Sequence, residues 1–501
     1  MDFHVSLAGR GDLTARIYLA LRDGIRDGRL RPGDRLPPTR ELAQSLEVSR
    51  NTAATAYERL TAEGYLTGRV GAGTFVSDLG ASVTGTSVSG TAAGTRGHTR
   101  RRPRTAGTAG LHPRAGWTFA PTPTSAQLDV PRFDFRVGIP DPSLFPFDTW
   151  RRLVTSELRL RANSPGTYAE PSGHPGLRAA IARYVGYARS VRAEADDIIV
   201  TNGTQQALDL IARVLLTAGD VVAVEEPGYR PARDLFASLG AQVVGVPVDR
   251  EGLVVDLLPA KARLVYSTPS HQFPLGTPMS LARRAALLAW AQRQDAAVIE
   301  DDYDSEFRFS ERPLEPLQSL DTTGRVLYAG TFSKTLLPSL RIGFLVAPPT
   351  LRSALRAAKQ LSDGHGQIAT QAALARFMDE GQLARHIRKA ARVYAARHAA
   401  ILATMDAGLA DQLELVPSAA GLHMTTRLRR GGKAVDGVAT VDKVVAAARE
   451  RGIAVESLAS YCHDAPAQAG FVIGYGAIRS DSVREGLARF GVLLRRENAA
   501  S

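Results

Sequence analysis

The sequence predicts a multidomain chain: a small helical module ending in a β-ribbon over residues 1–78, a linker over 79–130, and a large α/β domain with a central, mostly parallel sheet over 131–496. Three observations carry this reading. The first stretch has apolar residues at helical spacing and closes on a Gly-rich hairpin. The second is rich in Gly, Thr, Ser, Ala and Pro and has no apolar periodicity, as a flexible linker should. The third alternates short β-branched runs with longer helical patterns, the signature of a sheet layered with helices. At 501 residues the chain exceeds one ordinary domain, for which ~100–200 residues is usual. With 44% hydrophobic and 22% charged residues it is not disordered throughout. Cys462 is the single cysteine, so no internal disulfide forms and a reducing cytoplasm is the expected compartment. The start, Met1-Asp2-Phe3-His4, does not read as a signal peptide. No apolar stretch approaches the ~20 residues of a membrane span, so a membrane is not an expected partner.

The first module begins with Leu13, Ile17, Leu21 and Ile25 at four-residue spacing, one face of a helix over Leu13–Gly28. Pro32-Gly33-Asp34 turns the chain, and Thr39 is the expected N-cap of a second helix, Arg40–Leu46. After a tight turn at Glu47-Val48, Ser49 caps a third helix, Arg50–Glu63, buried through Ala53, Ala56, Tyr57 and Leu60. Two short strands, Tyr65–Thr67 and Thr74–Val76, flank Gly68–Gly73. Helix, turn, helix and hairpin is the winged helix-turn-helix layout, whose second helix of the pair enters the major groove of double-stranded DNA while the hairpin reaches the backbone or minor groove. Arg50, Asn51 and Thr52 then face base edges, with Thr55 one turn on. Arg suits guanine and Asn suits adenine, although either can instead contact phosphate alone. Arg40 and Arg69 fall where phosphate contacts are expected.

Bulk charge adds little to this. The chain carries +12 at pH 7, yet residues 1–78 hold 11 Arg against 10 Asp and Glu, a net of +1. Residues 79–130 hold 6 Arg and 1 Asp, a net of +5, concentrated at Arg100-Arg101-Arg102-Pro103-Arg104. That knot either touches DNA backbone or is solvated linker; as a random coil the linker would span roughly 40 Å.

Gly33-Asp34-Arg35-Leu36-Pro37-Pro38-Thr39-Arg40-Glu41-Leu42-Ala43, then Val48–Thr52 and Tyr57–Leu60, resemble the DNA-binding domain of the GntR family, over nearly all of residues 10–78.

In the large region, Ile198–Val200, Val221–Val224, Leu264–Ser267, Ala296–Ile299, Val326–Ala329 and Ile342–Val346 read as strands buried on both faces, with helices such as Gln205–Leu216 and Leu281–Gln292 between them. The strongest motif is Gly330-Thr331-Phe332-Ser333-Lys334, followed by Arg341. Only six of the 62 basic residues are lysines, and Lys334 lies just past a buried strand. A desolvated lysine there can lose its proton and form a Schiff base with an aldehyde. Arg341 offers a planar fork to a phosphate, and Thr331 and Ser333 add hydroxyls. The strand at Ala296–Ile299 delivers Asp301 and Tyr303 at its carboxyl end, where such sheets bind ligands. Asp301 can hold a pyridine nitrogen protonated, and Tyr303 can bond a ring oxygen. Gly203, Thr204 and Gln205 open a helix whose free amides suit an anion, and Tyr229 offers a ring to stack on a planar ligand.

Together these residues resemble a fold-type I, class I aminotransferase over most of 131–495. Joined to the GntR-type head, the chain resembles the MocR subfamily of transcription regulators. The resemblance implies pyridoxal 5′-phosphate as cofactor, with Lys334 its catalytic lysine, and a homodimer in which each head lies against the other subunit's large domain. Two departures stand out. Phe273-Pro274-Leu275-Gly276 replaces the Asn-Pro-Thr-Gly of class I aminotransferases, leaving His271 or Gln272 to substitute in part for the lost Asn. No Arg precedes Gly474-Tyr475-Gly476, so the usual carboxylate-binding Arg is missing; Arg479 and Arg230 are weak replacements. The expected function is therefore a DNA-binding regulator sensing pyridoxal phosphate or its adduct with an amino compound. The alternative is a working aminotransferase with an accessory DNA-binding head.

Overall fold

The structure, a computed structural model, describes residues 12–69, 71–77, 117–119, 131–159, 167–308, 315–418, 420–430, 433–435, 437–464 and 466–500. The chain divides into two units, Met1–Leu111 and His112–Ser501, which are taken separately below. Nearly all of the 79–130 linker, its Arg100–Arg104 knot included, lies outside the described residues.

The first unit is built from helices Leu13–Arg26, Thr39–Ser45 and Arg50–Ala62 and an antiparallel hairpin, Leu66–Arg69 with Gly73–Val76. Three of the four spaced apolar residues, Ile17, Leu21 and Ile25, are buried against Leu42, Ala56 and Leu60, while Leu13, in the first turn, is exposed. Tyr57 ties the pair of short helices together, its hydroxyl donating to the Pro37 carbonyl at 2.8 Å. Ser49 caps the third helix as expected, its hydroxyl accepting from the Thr52 amide at 3.1 Å. Thr39 is not a cap: the second helix starts one residue earlier, and Pro38 takes the cap position without a side-chain bond. Proline's fixed φ already suits a helix entrance, and it has no amide needing a partner. The hairpin strands also run further into the Gly-rich segment than the sequence suggests, with Arg69 paired to Gly73.

The second unit is organised around an eight-stranded sheet in the order Ile198–Thr201, Gly343–Val346, Val326–Thr331, Ala297–Asp302, Ala262–Ser267, Val221–Glu226, Gln242–Asp249, Gly252–Leu253. All but two strands run the same way. Gly343–Val346 is antiparallel to both neighbours, and short Gly252–Leu253 is antiparallel to the edge. Ile198–Thr201, Val221–Glu226 and Val326–Thr331 are buried along their whole length, which explains their unbroken apolar character. Each predicted strand is present, displaced by at most a few residues, and the helices run Thr204–Leu215 and Leu281–Arg293.

A smaller antiparallel sheet follows, from Leu413–Leu415, His423–Arg430, Gly470–Gly474 and Glu456–Ser457. Phe133–Asp134 pairs in parallel with Ile453–Ala454, so the first described residues after 130 are stitched to this C-terminal layer. The last helix, Val483–Ala500, runs past the predicted end at 496. No helix among the described residues is long and apolar enough to cross a membrane.

Leu60 has no exposed surface in the first unit. Leu60→Ala is expected to destabilise that unit by ~2–5 kcal/mol through lost burial and a residual cavity. Faster amide hydrogen exchange along Arg50–Ala62 measures it; unchanged exchange would contradict this packing.

Candidate functional site

The strands of the large sheet that run together end on one edge. There Asp301, Thr331 and the turn after Thr201 meet, as open α/β sheets dictate. A cavity of about 500 Å³ opens at this edge. Nine of the ten residues proposed from the sequence line it: Thr204, Gln205, Tyr229, Asp301, Tyr303, Thr331, Ser333, Lys334 and Arg341. The tenth, Gly203, stands directly behind. A Cβ on Gly203 would come 2.8 Å from the Arg341 guanidinium, and its φ of +83° favours glycine.

The run Glu300-Asp301-Asp302 shows how strand alternation selects one acid for the cavity. Glu300 accepts from the Leu317 and Gln318 amides, both at 2.9 Å, and sits 3.8 Å from Arg284. Asp302 is ion-paired to Arg189 at 2.7 Å. Only Asp301 lines the cavity. Its Oδ2 accepts from the Tyr266 hydroxyl at 2.8 Å, while its buried Oδ1 has no partner among the described residues. A buried carboxylate oxygen without a donor is costly, and a protonated ring nitrogen is a group that would satisfy it. Burial, abetted by Asp302 and Asp304, pushes the Asp301 carboxyl up to about 7 against the pull of Tyr266 and Lys334.

Lys334 donates to the Gly138 carbonyl at 2.8 Å, and burial holds its ammonium below the usual value. A neutral amine is the nucleophilic form. At the opposite side, Gly203 caps the helix Thr204–Leu215 without any side-chain bond, leaving the first amides open. Arg341 lies beside them in a left-handed conformation (φ +51°), its guanidinium donating to the Asn202 carbonyl at 2.6 Å. Thr331 and Ser333 share a hydroxyl bond of 3.1 Å on the same side. An amine, a carboxylate with one unpartnered oxygen and an anion cradle thus share one cavity. That donor set fits pyridoxal phosphate.

Other positions differ from expectation. Gln272 does not reach the cavity, because its amide donates to Glu225, to the Pro227 carbonyl at 2.9 Å and to the Phe273 carbonyl at 2.7 Å. His271 lies behind Tyr303 and bonds its hydroxyl at 3.0 Å. Arg479 is exposed and paired with Asp481, away from the lining, whereas Arg230 sits at the rim, 3.3 Å from Asp234. Sequence reasoning missed Gly138, Tyr266, Asp304, His423, Glu456 and Tyr461, which also line the cavity. Asp304 and Tyr266 could have been found beside Tyr303 and at the end of a predicted strand. The others arrive through the C-terminal layer and carry no local signal.

In the first unit Arg50 and Asn51 are exposed at the start of the third helix, Arg40 on the helix before it, and Arg69 on the hairpin. Arg40 and Arg50 form no ion pair among the described residues, while Arg69 packs its guanidinium 4.9 Å from the Phe75 ring centre. The Thr52 hydroxyl shares a 2.7 Å bond with that of Ser49, which leaves it further hydrogen-bonding capacity.

Comparison with known proteins agrees with this division. Residues 13–76 match the model of the bacterial regulatory proteins of the gntR family, and residues 141–463 match aminotransferase class I and II. The large unit is similar in fold to the kynurenine aminotransferase of Pyrococcus horikoshii (TM-score 0.65, 29% identity, 72% of this chain and 90% of that one). It is equally similar to LysN, the α-aminoadipate aminotransferase of Thermus thermophilus (TM-score 0.66, 28% identity, 73% and 93%). Fold and site therefore define a class: a winged-helix regulator carrying an aminotransferase-like domain. Over 94% of its length the chain is 40% identical to the probable rhizopine catabolism regulatory protein MocR of Rhizobium meliloti, covering 92% of that protein. It is 34% identical to the regulator TauR of Rhodobacter capsulatus over 99% of both chains. It is 31% identical to the pyridoxine biosynthesis regulator PdxR of Corynebacterium glutamicum over 95% and 94%. The chain belongs to the GntR family of bacterial transcription regulators, in its MocR-type branch.

A pH dependence follows from Asp301. Its folded pKa, about 7, lies above the unfolded 3.8, so its contribution to stability is complete below 3.8 and lost as pH rises through 7. In ligand-free protein Asp301→Asn is expected to melt increasingly above the parent as pH rises from about 4 to 7, the gap levelling off above that. A constant gap in thermal melts across that range would refute the shift.

Proposed function

We propose that the large domain is the sensor of this regulator, binding pyridoxal phosphate and, through it, responding either to the cofactor itself or to its adduct with an amino compound. The observation that carries the reading is the convergence of Lys334, the unpaired Oδ1 of Asp301 and the open helix start beside Arg341 on one cavity. Bound there, pyridoxal phosphate would supply an aldehyde carbon to a primary amine and an electron-withdrawing ring. Lys334 provides the amine. Asp301 accepts the ring N–H, Tyr303 donates to the ring oxygen, and Tyr229 packs beside the ring. The amides of Thr204 and Gln205, the hydroxyls of Thr331 and Ser333 and the guanidinium of Arg341 hold the phosphate, with Gly203 giving the backbone room.

Arg479 pairs with Asp481 and does not line the cavity, and Arg230 stands at its rim. This favours pyridoxal phosphate, or an amine held without an α-carboxylate clamp, as the signal. By their names, relatives regulate pyridoxine biosynthesis and rhizopine catabolism, and genes of B6 synthesis or amine catabolism are the targets this reading favours. On the DNA side, Arg50, Asn51 and Thr52 read the operator while Arg40 and Arg69 grip phosphate. A homodimer with heads exchanged between subunits suits a two-fold operator in the cytoplasm. Ligand changes DNA affinity only by its differential affinity for two arrangements of the heads.

Gel shifts on the gene's own upstream DNA, with and without pyridoxal phosphate at fixed salt, test the reading. Specific binding that changes with the cofactor, and a Lys334→Ala variant that binds DNA but no longer responds, are expected. An unchanged response in Lys334→Ala would overturn it. Absence of specific binding, together with steady turnover of an amino donor and a keto-acid acceptor, would instead favour a working aminotransferase. Arg50→Ala is expected to weaken specific binding by ~1–3 kcal/mol if it reads a base. An equal loss on random DNA would assign it to phosphate instead.

A further inference from the structure

His271 has no place in the reading above, yet it is 2% exposed and fully surrounded by polar partners. Its Nδ1 lies 3.0 and 3.2 Å from the two oxygens of Asp304 and 3.0 Å from the Tyr303 hydroxyl. Its Nε2 lies 3.0 Å from the Ser418 hydroxyl. The space for the ring is made by glycines. A Cβ at Gly421 would come within 2.1 Å of the imidazole, and one at Gly276 within 3.1 Å.

The proton inventory of this cluster has one outcome. A carboxylate can only accept, so the arrangement that satisfies both Asp304 contacts puts a hydrogen on His271 Nδ1, donating there. The same N–H faces the Tyr303 oxygen, which therefore accepts. The Tyr303 hydroxyl hydrogen is then left without an acceptor among the described residues, on a side chain that lines the cavity. The reverse tautomer would set two acceptors, Asp304 and a bare Nδ1, 3.0 Å apart.

We infer that His271, oriented by Asp304, is a positioning residue that commits the Tyr303 hydroxyl to donate into the cavity, toward an anionic oxygen of the bound ring. This rests on the cavity being a pyridoxal phosphate site. The groups facing the cluster are compatible with it. The His423 ring lies 4.9 Å from that of His271 and spends its Nε2 on the Pro274 carbonyl at 3.0 Å. Burial and the neighbouring His271 lower the His423 pKa to about 3, so it brings no charge. Burial, then Asp304, Asp301, Glu225 and Tyr475, hold the Tyr303 phenol well above its ordinary value, so it keeps its proton. Lys334 interacts with Asp304 and Asp301 of the same group, and with Glu456.

The test uses the full chain loaded with pyridoxal phosphate and follows the visible band of the lysine-bound cofactor against pH. A donor to the ring oxygen favours its anionic form, so losing that donor raises the midpoint, by about one unit for a single bond. Tyr303→Phe is expected to raise it by about that much, His271→Phe by a smaller amount because the phenol stays and loses only its orientation, and the double variant no further than Tyr303→Phe alone. His271→Gln, which keeps an N–H donor, is expected to fall between parent and His271→Phe. Circular dichroism of each loaded variant checks folding, and Tyr303→Phe reports the same bond if His271→Phe fails to fold. A His271→Phe midpoint within about 0.2 units of the parent, or a double variant whose shift is the sum of the singles, would overturn the inference. No visible band in the parent would overturn the cofactor reading beneath it, a result distinct from a band that fails to shift.

Discussion

Three consecutive carboxylates, Glu300, Asp301 and Asp302, end a strand that is buried on both faces, and the large domain is built around accommodating them. An isolated buried carboxylate is untenable, so each needs its own compensation. Arg189 crosses from the helix Pro175–Arg189 to meet Asp302, joined by Tyr328 from the adjacent strand. Arg284 and two backbone amides answer Glu300. Those partners pin two helices and a neighbouring strand to the sheet. Asp301 alone is left half-answered, and the cavity forms where its partner is lacking.

Much of this arrangement was legible in the chain itself. Unbroken β-branched runs identified the buried strands because such strands need no polar face. The acid cluster, the lysine and the arginine were legible because each sits within a few residues of a strand's end, where local pattern and function coincide. What could not be read came from long-range pairing. Gly138 reaches Lys334 only because Phe133–Asp134 pairs with Ile453–Ala454, some 320 residues later. Glu456 and His423 enter through the small sheet in the same way. The misplaced cap at Thr39 is a different kind of miss. Proline and threonine both suit a helix entrance, and sequence alone gives no reason to prefer the earlier one.

The fate of His271 and Gln272 shows why neighbours in sequence need not share a role. Gln272 turns inward and binds the Glu225 carboxylate and the backbone around Pro227 and Phe273, making the turn rigid. His271, one residue earlier, bonds a hydroxyl at the cavity wall. A regulator has less need than a catalyst of a clamp for its ligand's carboxylate. It needs a site that holds one ligand in one orientation, because only a defined bound state can favour one arrangement of the chain over another.

The parallel rung between Phe133–Asp134 and Ile453–Ala454 has a mechanical consequence. The Gly138 carbonyl that holds Lys334 lies five residues past Phe133, which itself lies a few residues past the predicted end of the linker. Phe135 is anchored at both its amide and its carbonyl, to Ala454 and Gly474, so this segment has little slack. A ligand that takes Lys334 away from Gly138 thereby frees one bond on a segment that is otherwise held on both sides by the C-terminal layer.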